Sequence, residues 1–188
     1  MKQNNFFANA ANKALALAAT VMMMSAAFTS CSKDSDDDNG GLPTPKAQTV
    51  TIDGVEKPIL KAEYEDNTCG NYDLYFYLSA DRKKNVLIQL NKDLHMTGKP
   101  INLTKKEESH EGKWYWAVDY KIKDDVYLIE TLGKPGTDDP VFTTGTLTMS
   151  GSPDGTINIV LKNGRVNGED NKEHTLTINY SGSMTKVK

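Results

Sequence analysis

The sequence predicts an all-β fold, an antiparallel β-sandwich, with an up-and-down, lipocalin-like β-barrel as the alternative closure of the same strands. Three observations predict it. From residue 49 onward the chain reads as short runs in which apolar residues alternate with polar ones. Those runs are separated by tight-turn dipeptides and short polar loops, which suit antiparallel neighbours and are too short for parallel crossovers. After residue 48 no stretch shows a helical period longer than two turns.

The candidate strands, in order, are Thr49–Asp53, Pro58–Tyr64, Tyr72–Ala80, Asn85–Asn91, Ile101–Thr104, Lys113–Lys123, Val126–Leu132, Val141–Ser150, Thr156–Lys162 and His174–Ser181. Leu74, Phe76 and Leu78 share one face of their strand, as do Val86, Ile88 and Leu90. The same parity groups Trp114, Trp116, Val118, Tyr120 and Ile122; Ile157, Ile159 and Leu161; and Leu176, Ile178 and Tyr180. The opposite positions are mostly polar, among them Asp73, Gln89, Asp119, Thr175, Thr177 and Asn179, which predicts sheets with one buried and one wet face. Asp53-Gly54, Pro153-Asp154-Gly155 and Asn163-Gly164 are the expected tight turns.

The first 48 residues have a different character. Residues 1–30 contain Lys2 and Lys13 and no acid, and Ala14 to Phe28 is an uncharged run of fifteen residues. A bilayer-spanning helix needs about 20 apolar residues, so this run matches the apolar region of a cleavable export signal. Phe28-Thr29-Ser30-Cys31 resembles the lipobox of bacterial lipoproteins, with Phe28 where Leu is usual and Thr29 and Ser30 where Ala and Gly are common. The resemblance implies cleavage before Cys31 and a diacylglycerol thioether on its sulfur, with palmitate-type chains mooring the protein to a membrane. Two other readings are an ordinary cut after Ala27, within Ser25-Ala26-Ala27, and an uncleaved anchor.

Residues 31–48 follow as an acidic, Gly- and Pro-containing segment with four aspartates against two lysines, expected to be a disordered tether. Seventeen such residues reach roughly 20–25 Å. The acidic cluster behind Cys31 is similar to the surface-export signal of Bacteroidota lipoproteins, which implies an outer-membrane protein facing the extracellular medium. The aspartates do not spell a calcium loop: counted from Asp34, the sixth residue is Asn39 and the twelfth is Pro45. The expected division is therefore residues 1–30 as signal, 31–48 as lipidated tether and 49–188 as the β domain.

The chain's formal net charge is −3, from 22 basic and 25 acidic residues, which gives no reason to expect nucleic acid as a partner. No nucleophile elbow, phosphate-binding loop or zinc spacing is present, so no cofactor or metal is expected and the chain reads as non-catalytic. His95, His110 and His174 are far apart; His110 is expected in a solvated loop and His174 at a strand end in the core. The acid pairs Glu107/Glu108, Asp124/Asp125 and Asp138/Asp139 read as turn charge. If Cys31 is lipidated, Cys69 is left as a lone loop thiol.

Parity places Tyr75, Tyr77 and Tyr115 on outward faces, where phenol rings suit stacking on sugars or a protein partner. The expected function is a lipid-anchored, ligand-binding β domain for a glycan or partner protein. Rival readings are a barrel carrying a small apolar molecule, an envelope assembly role, or a hydrolase with Asp119, Glu130 or a histidine in one cleft.

Overall fold

The computed structural model describes residues 41–187. The expected signal, Cys31 and most of the expected tether lie outside the described residues. In chain order the strands are β1 (Thr49–Ile52), β2 (Val55–Pro58), β3 (Lys61–Asp66), β4 (Asn71–Tyr77), β5 (Asn85–Asn91) and β6 (Thr97–Asn102). Then come β7 (Ala117–Lys123), β8 (Val126–Ile129), β9 (Thr144–Gly151), β10 (Ile157–Asn167), β11 (Glu173–Gly182) and β12 (Thr185–Lys186). A one-turn helix, α1 (Lys92–His95), separates β5 from β6. One sheet, here sheet A, runs β2-β1-β11-β10-β9-β6, and the other, sheet B, runs β12-β3-β4-β5-β7-β8.

These are two separate six-stranded layers with a common core, a β-sandwich rather than the alternative closed barrel. The inward residues are those the alternation selects. Leu74, Phe76, Val86, Ile88, Leu90 and Val118 of sheet B are fully buried, as are Ile157, Ile159, Leu161, Leu176 and Ile178 of sheet A. Phe76 meets Tyr180 across the layers with ring centroids 5.3 Å apart. Each such side chain contributes roughly 1.5–3 kcal/mol when fully buried. The interior that a carrier barrel would leave open is occupied by these side chains and by Trp116 and Phe142.

Several elements differ from the sequence expectation for physical reasons. The run Pro58–Tyr64 is two strands, because the chain changes sheets at Ile59-Leu60. The Ile59 N–H donates to Gln48 O at 3.1 Å on the sheet A side, and the Leu60 N–H donates to Tyr77 O at 2.9 Å on the sheet B side. The expected strand from Lys113 begins only at Ala117, since the Trp114 N–H donates to the Asn71 side chain at 2.9 Å instead of to a ladder partner. β6 runs Thr97–Asn102 rather than Ile101–Thr104, and the pairing of β12 with β3 is parallel.

Asn163-Gly164 is not a turn. It is a bulge inside β10, which continues to Asn167; the register to β11 shifts between Leu161 and Gly164. Asn163 takes the left-handed φ of 53° that a bulge demands. A Cβ on Gly164 would lie 2.4 Å from Leu176 O and 2.7 Å from a Leu161 methyl. Asp53-Gly54, by contrast, is a two-residue hairpin turn with φ of 50° and 75°, the primed geometry that this dipeptide favours.

The outer face of sheet A carries Thr51, Thr175, Thr177 and Asn179. The segment Leu42–Lys46, which composition places in the tether, lies against it. Pro45 is buried, its carbonyl accepts from Asn179 Nδ2 at 3.1 Å, and the Leu42 N–H donates to Asn163 Oδ1 at 2.9 Å.

At one end of sheet A the buried His174 joins two turns. Its Nδ1 donates to Asp53 Oδ2 at 2.8 Å and its Nε2 to Asp170 Oδ1 at 2.9 Å. Both bonds together require the imidazolium. Burial works against that charge, but the bonds to Asp53 and Asp170 outweigh it, so the His174 pKa is raised above 6.5. Asp170 is held below the usual carboxylate range chiefly by its bond to His174.

Two outcomes follow from this packing. Gly164→Ala should lower unfolding free energy in urea by about 2 kcal/mol or more, because the methyl meets backbone rather than a movable side chain. An unchanged midpoint would show that the bulge has room. The raised His174 pKa means its contribution is fully present below the unfolded value and is lost as pH rises through the folded value. The melting-temperature deficit of His174→Gln should therefore be largest below the ordinary value of 6.5 and shrink as pH rises above it; a deficit constant with pH contradicts a charged clamp.

Candidate ligand-binding face

The outer face of sheet B is set by register. Lys61, Tyr77, Asn85 and Lys121 form one cross-strand row, and Tyr127 of β8 sits opposite Lys121. The next row is Glu63, Tyr75, Leu87 and Asp119, and the one after it is Glu65, Asp73, Gln89 and Ala117. These positions face away from the core because their neighbours Phe76, Val86, Ile88 and Tyr120 face into it.

Tyr75 and Tyr77 lie side by side, centroids 6.1 Å apart and rings 10° from parallel. They wall a hollow of about 310 Å³ that Tyr127, Leu87 and Asn85 also line. The Arg82 guanidinium stands 5.4 Å from the Tyr77 centroid, and Lys121 Nζ stands 5.1 Å from that of Tyr127. Behind the ring pair, the buried Glu63 holds Lys61 and Arg82, the latter at 3.3 Å. Those cations, Lys61 first, keep the Glu63 carboxyl below its ordinary range. Burial, followed by the Asp73 and Glu65 carboxylates, pushes the Tyr75 phenol up to about 12. Tyr77 is raised as well, again mainly by burial. Both phenols stay neutral, and that of Tyr77 is hydrogen-bonded to the Glu63 carboxylate.

Tyr115 sits elsewhere. It lines a second hollow of about 420 Å³ with Gln89, Lys113, Trp114, Leu132 and Lys134. Its hydroxyl is committed to the loop before it, donating to His110 O at 2.9 Å and accepting from the His110 N–H at 3.1 Å. The structure thus brings Tyr75 and Tyr77 together and places Tyr115 in the neighbouring depression.

Between the hollows lies Asp119, which parity assigns to a wet face but which is only 9% exposed. The backbone N–H of Thr131 donates to its Oδ1 at 3.0 Å. Burial nonetheless pushes the carboxyl up to about 7, with the Glu130, Asp73 and Asp139 charges acting in the same direction. Asp73 is better satisfied, accepting from Asn67 Nδ2 at 2.9 Å and Gln89 Nε2 at 2.8 Å.

Sequence reasoning missed one cluster. Glu107, read as turn charge, bridges two histidines, His95 Nε2 at 2.5 Å and His110 Nε2 at 3.2 Å. The Asn91 N–H donates to His95 Nδ1 at 2.8 Å, which leaves the His95 proton on Nε2, facing Glu107. His110 is only partly solvated: its ring stacks on Tyr115 at 3.9 Å, and its Nδ1 is buried without a hydrogen-bond partner. Burial opposes ionisation of Glu107, but the hydrogen bonds from the two histidines hold its carboxyl below the ordinary value. Only the spacing of His95, Glu107 and His110 around a loop closed by Tyr115 could have signalled this, and nothing in one sequence closes that loop. Asp124, Asp125, Asp138 and Asp139 are exposed turn residues, as expected. Cys69 is an exposed free thiol in a loop where Thr68, Cys69 and Gly70 all have positive φ.

Among the described residues no group of three or more His, Cys, Asp or Glu is placed to hold a metal ion, and no helix is long and apolar enough to cross a membrane. No protein-family model matches the chain, and neither do any curated protein or solved structure.

The Asp119 carboxyl supplies a test of this electrostatic description. Its folded pKa lies above the unfolded value of 3.8, so stability is greatest below that value and declines as pH rises towards about 7. Asp119→Asn keeps the acceptor for Thr131 and removes the decline. The variant should gain on the wild type from roughly pH 4 to pH 8, by up to a few kcal/mol. Parallel pH profiles of the two melting temperatures would refute the buried, uncompensated carboxyl.

Proposed function

We propose that the chain is a lipid-anchored outer-membrane lipoprotein, displayed towards the extracellular medium, whose sandwich binds a glycan or a partner protein without catalysing a reaction. The anchoring half of this reading is supported by Phe28-Thr29-Ser30-Cys31 at the end of an apolar run and by the aspartates that follow. The binding half is carried by one observation: Tyr75 and Tyr77 stand parallel on an open sheet face, with Tyr127 across a hollow and Arg82 and Lys121 at its rim. Parallel phenol rings offer flat apolar surfaces with polar edges, and amides such as Asn85 supply direction, which together suit recognition. The opposite face is less suited, because Leu42–Lys46 already lies on it.

Each half has its own measurement. Cys31→Ser should remove the acyl mass from the mature protein and shift it from the membrane to the soluble fraction; an acylated Cys31→Ser product would end the anchoring proposal. Binding of the detergent-solubilised full chain to an immobilised panel of glycans should fall about tenfold or more in Tyr77→Ala, in line with the loss of an anchoring aromatic. Retained binding in that variant would move the site off this face.

A further inference from the structure

We infer that the two hollows of sheet B are one continuous binding track along β5 for a linear acidic glycan, a chain bearing carboxylate or sulfate groups. This rests on the ligand-binding reading above and narrows it. Leu87 lines the first hollow and Gln89 the second. They are consecutive outward-facing residues of one strand, a separation of about 7 Å. The hollows, about 310 and 420 Å³, are therefore adjoining depressions on one face. A compact ligand fills one of them, whereas a linear chain reaches both.

Each depression repeats the same chemistry. The first has Tyr75, Tyr77 and Tyr127 with Arg82, Lys83 and Lys121, and the second has Trp114 and Tyr115 with Lys113 and Lys134. Aromatic rings in both depressions suit stacking on successive sugar rings of a glycan. Among the residues lining the two hollows, five cationic side chains stand against one carboxylate, Asp124. Four of the five have carboxylate partners: Lys83 with Asp124 at 2.6 Å, Lys113 with Asp93 at 3.2 Å, Lys121 with Asp125 at 3.8 Å, and Arg82 with Glu63. The first two pairs are exposed, and such pairs are worth little, so an anionic ligand can displace the carboxylate at small cost. Asp119, between the hollows, adds only part of a negative charge near neutrality. The hollow at Glu107 and Glu108 has the opposite character, so the track does not extend there.

Calorimetry on the full chain in detergent tests this with four probes: a galacturonic acid hexamer, a heparin-derived hexasaccharide, neutral cellohexaose and an anionic oligothymidylate. One of the two acidic hexasaccharides should bind about tenfold or more tighter than cellohexaose and than its own disaccharide, and weaken as salt rises. Which of the two it is separates a carboxylate from a sulfate ligand. Tyr77→Ala and Trp114→Ala should each weaken it severalfold, and so should Lys121→Ala and Lys134→Ala, surface changes that leave the fold intact. Equal affinity for cellohexaose, with Tyr77 still required, would overturn the acidic assignment and leave the ligand-binding reading standing. Silence of both Trp114→Ala and Lys134→Ala would overturn the continuous track. Tightest binding of the oligothymidylate would overturn a glycan ligand. Failure of all probes to bind, in a protein that melts normally, would overturn this inference; failure of the glycan panel as well would remove the glycan half of the broader reading and leave a partner protein.

Discussion

The register among β4, β5 and β7 is the constraint on which the rest of the molecule depends. Phe76, Val86 and Tyr120 are cross-strand neighbours on the buried side, and Leu74, Ile88 and Val118 form the row beside them. Slipping any of these strands by one residue would turn its buried set to solvent and its polar set into the core. The same pairing fixes the other face: once Phe76 sits opposite Val86, Tyr77 must sit opposite Asn85 and Tyr75 opposite Leu87. The position of the tyrosine pair is thus enforced by core hydrophobicity rather than by interactions of the tyrosines themselves. The proposed recognition relies on that preorganisation, since the sheet alone holds the rings in place.

The two layers answer their outer faces differently. Sheet A presents short β-branched threonines and lays the chain's own Leu42–Lys46 across them, with two hydrogen bonds fixing it. Sheet B presents long aromatic and charged side chains and keeps its face open except at the end closed by the His110 loop. That loop is tied down by a Tyr115 hydroxyl that both donates and accepts, and by Glu107 spanning two imidazoles. A tyrosine expected to serve as a free platform therefore does structural work with its hydroxyl, while its ring still walls a hollow.

Much of the fold was legible in the sequence, because period-2 alternation has one physical cause, a strand with a dry side and a wet side. Val86–Leu90 and Leu176–Tyr180 carry that alternation, and both runs lie within strands of the structure. Failures fell where tertiary contacts override local pattern. Asn163-Gly164 has the chemistry of a hairpin turn, yet Asn163 serves equally well at a bulge, and only packing against Leu176 and Leu161 distinguishes the two. Trp116 shows another limit: its alternation marks it as buried, but it fits only because Gly133 has no side chain, a Cβ there falling 2.4 Å from the indole nitrogen. Of the site, the outward direction of Tyr75 and Tyr77 was readable from parity. The burial of Asp119 and the His95–Glu107–His110 bridge were not, since both arise from loops whose paths no local rule dictates.

Asp119 is the position where local and global preferences disagree most. A carboxyl at 9% exposure, supported by one backbone N–H and surrounded by other acids, weakens the fold. An apolar residue between Leu87 and Thr131 would serve stability better, much as buried charges are often replaced by hydrophobes without loss. Departures from local consistency tend to sit where a protein does its work. Here the departure lies in the row of Leu87, on the sheet face that carries the two aromatic hollows. Half-protonated near neutral pH, the Asp119 carboxyl is both a donor and an acceptor, which neither an ordinary aspartate nor a leucine is. The proposed track gives that cost a reason: it keeps a hydrogen-bonding group on the face between the two hollows.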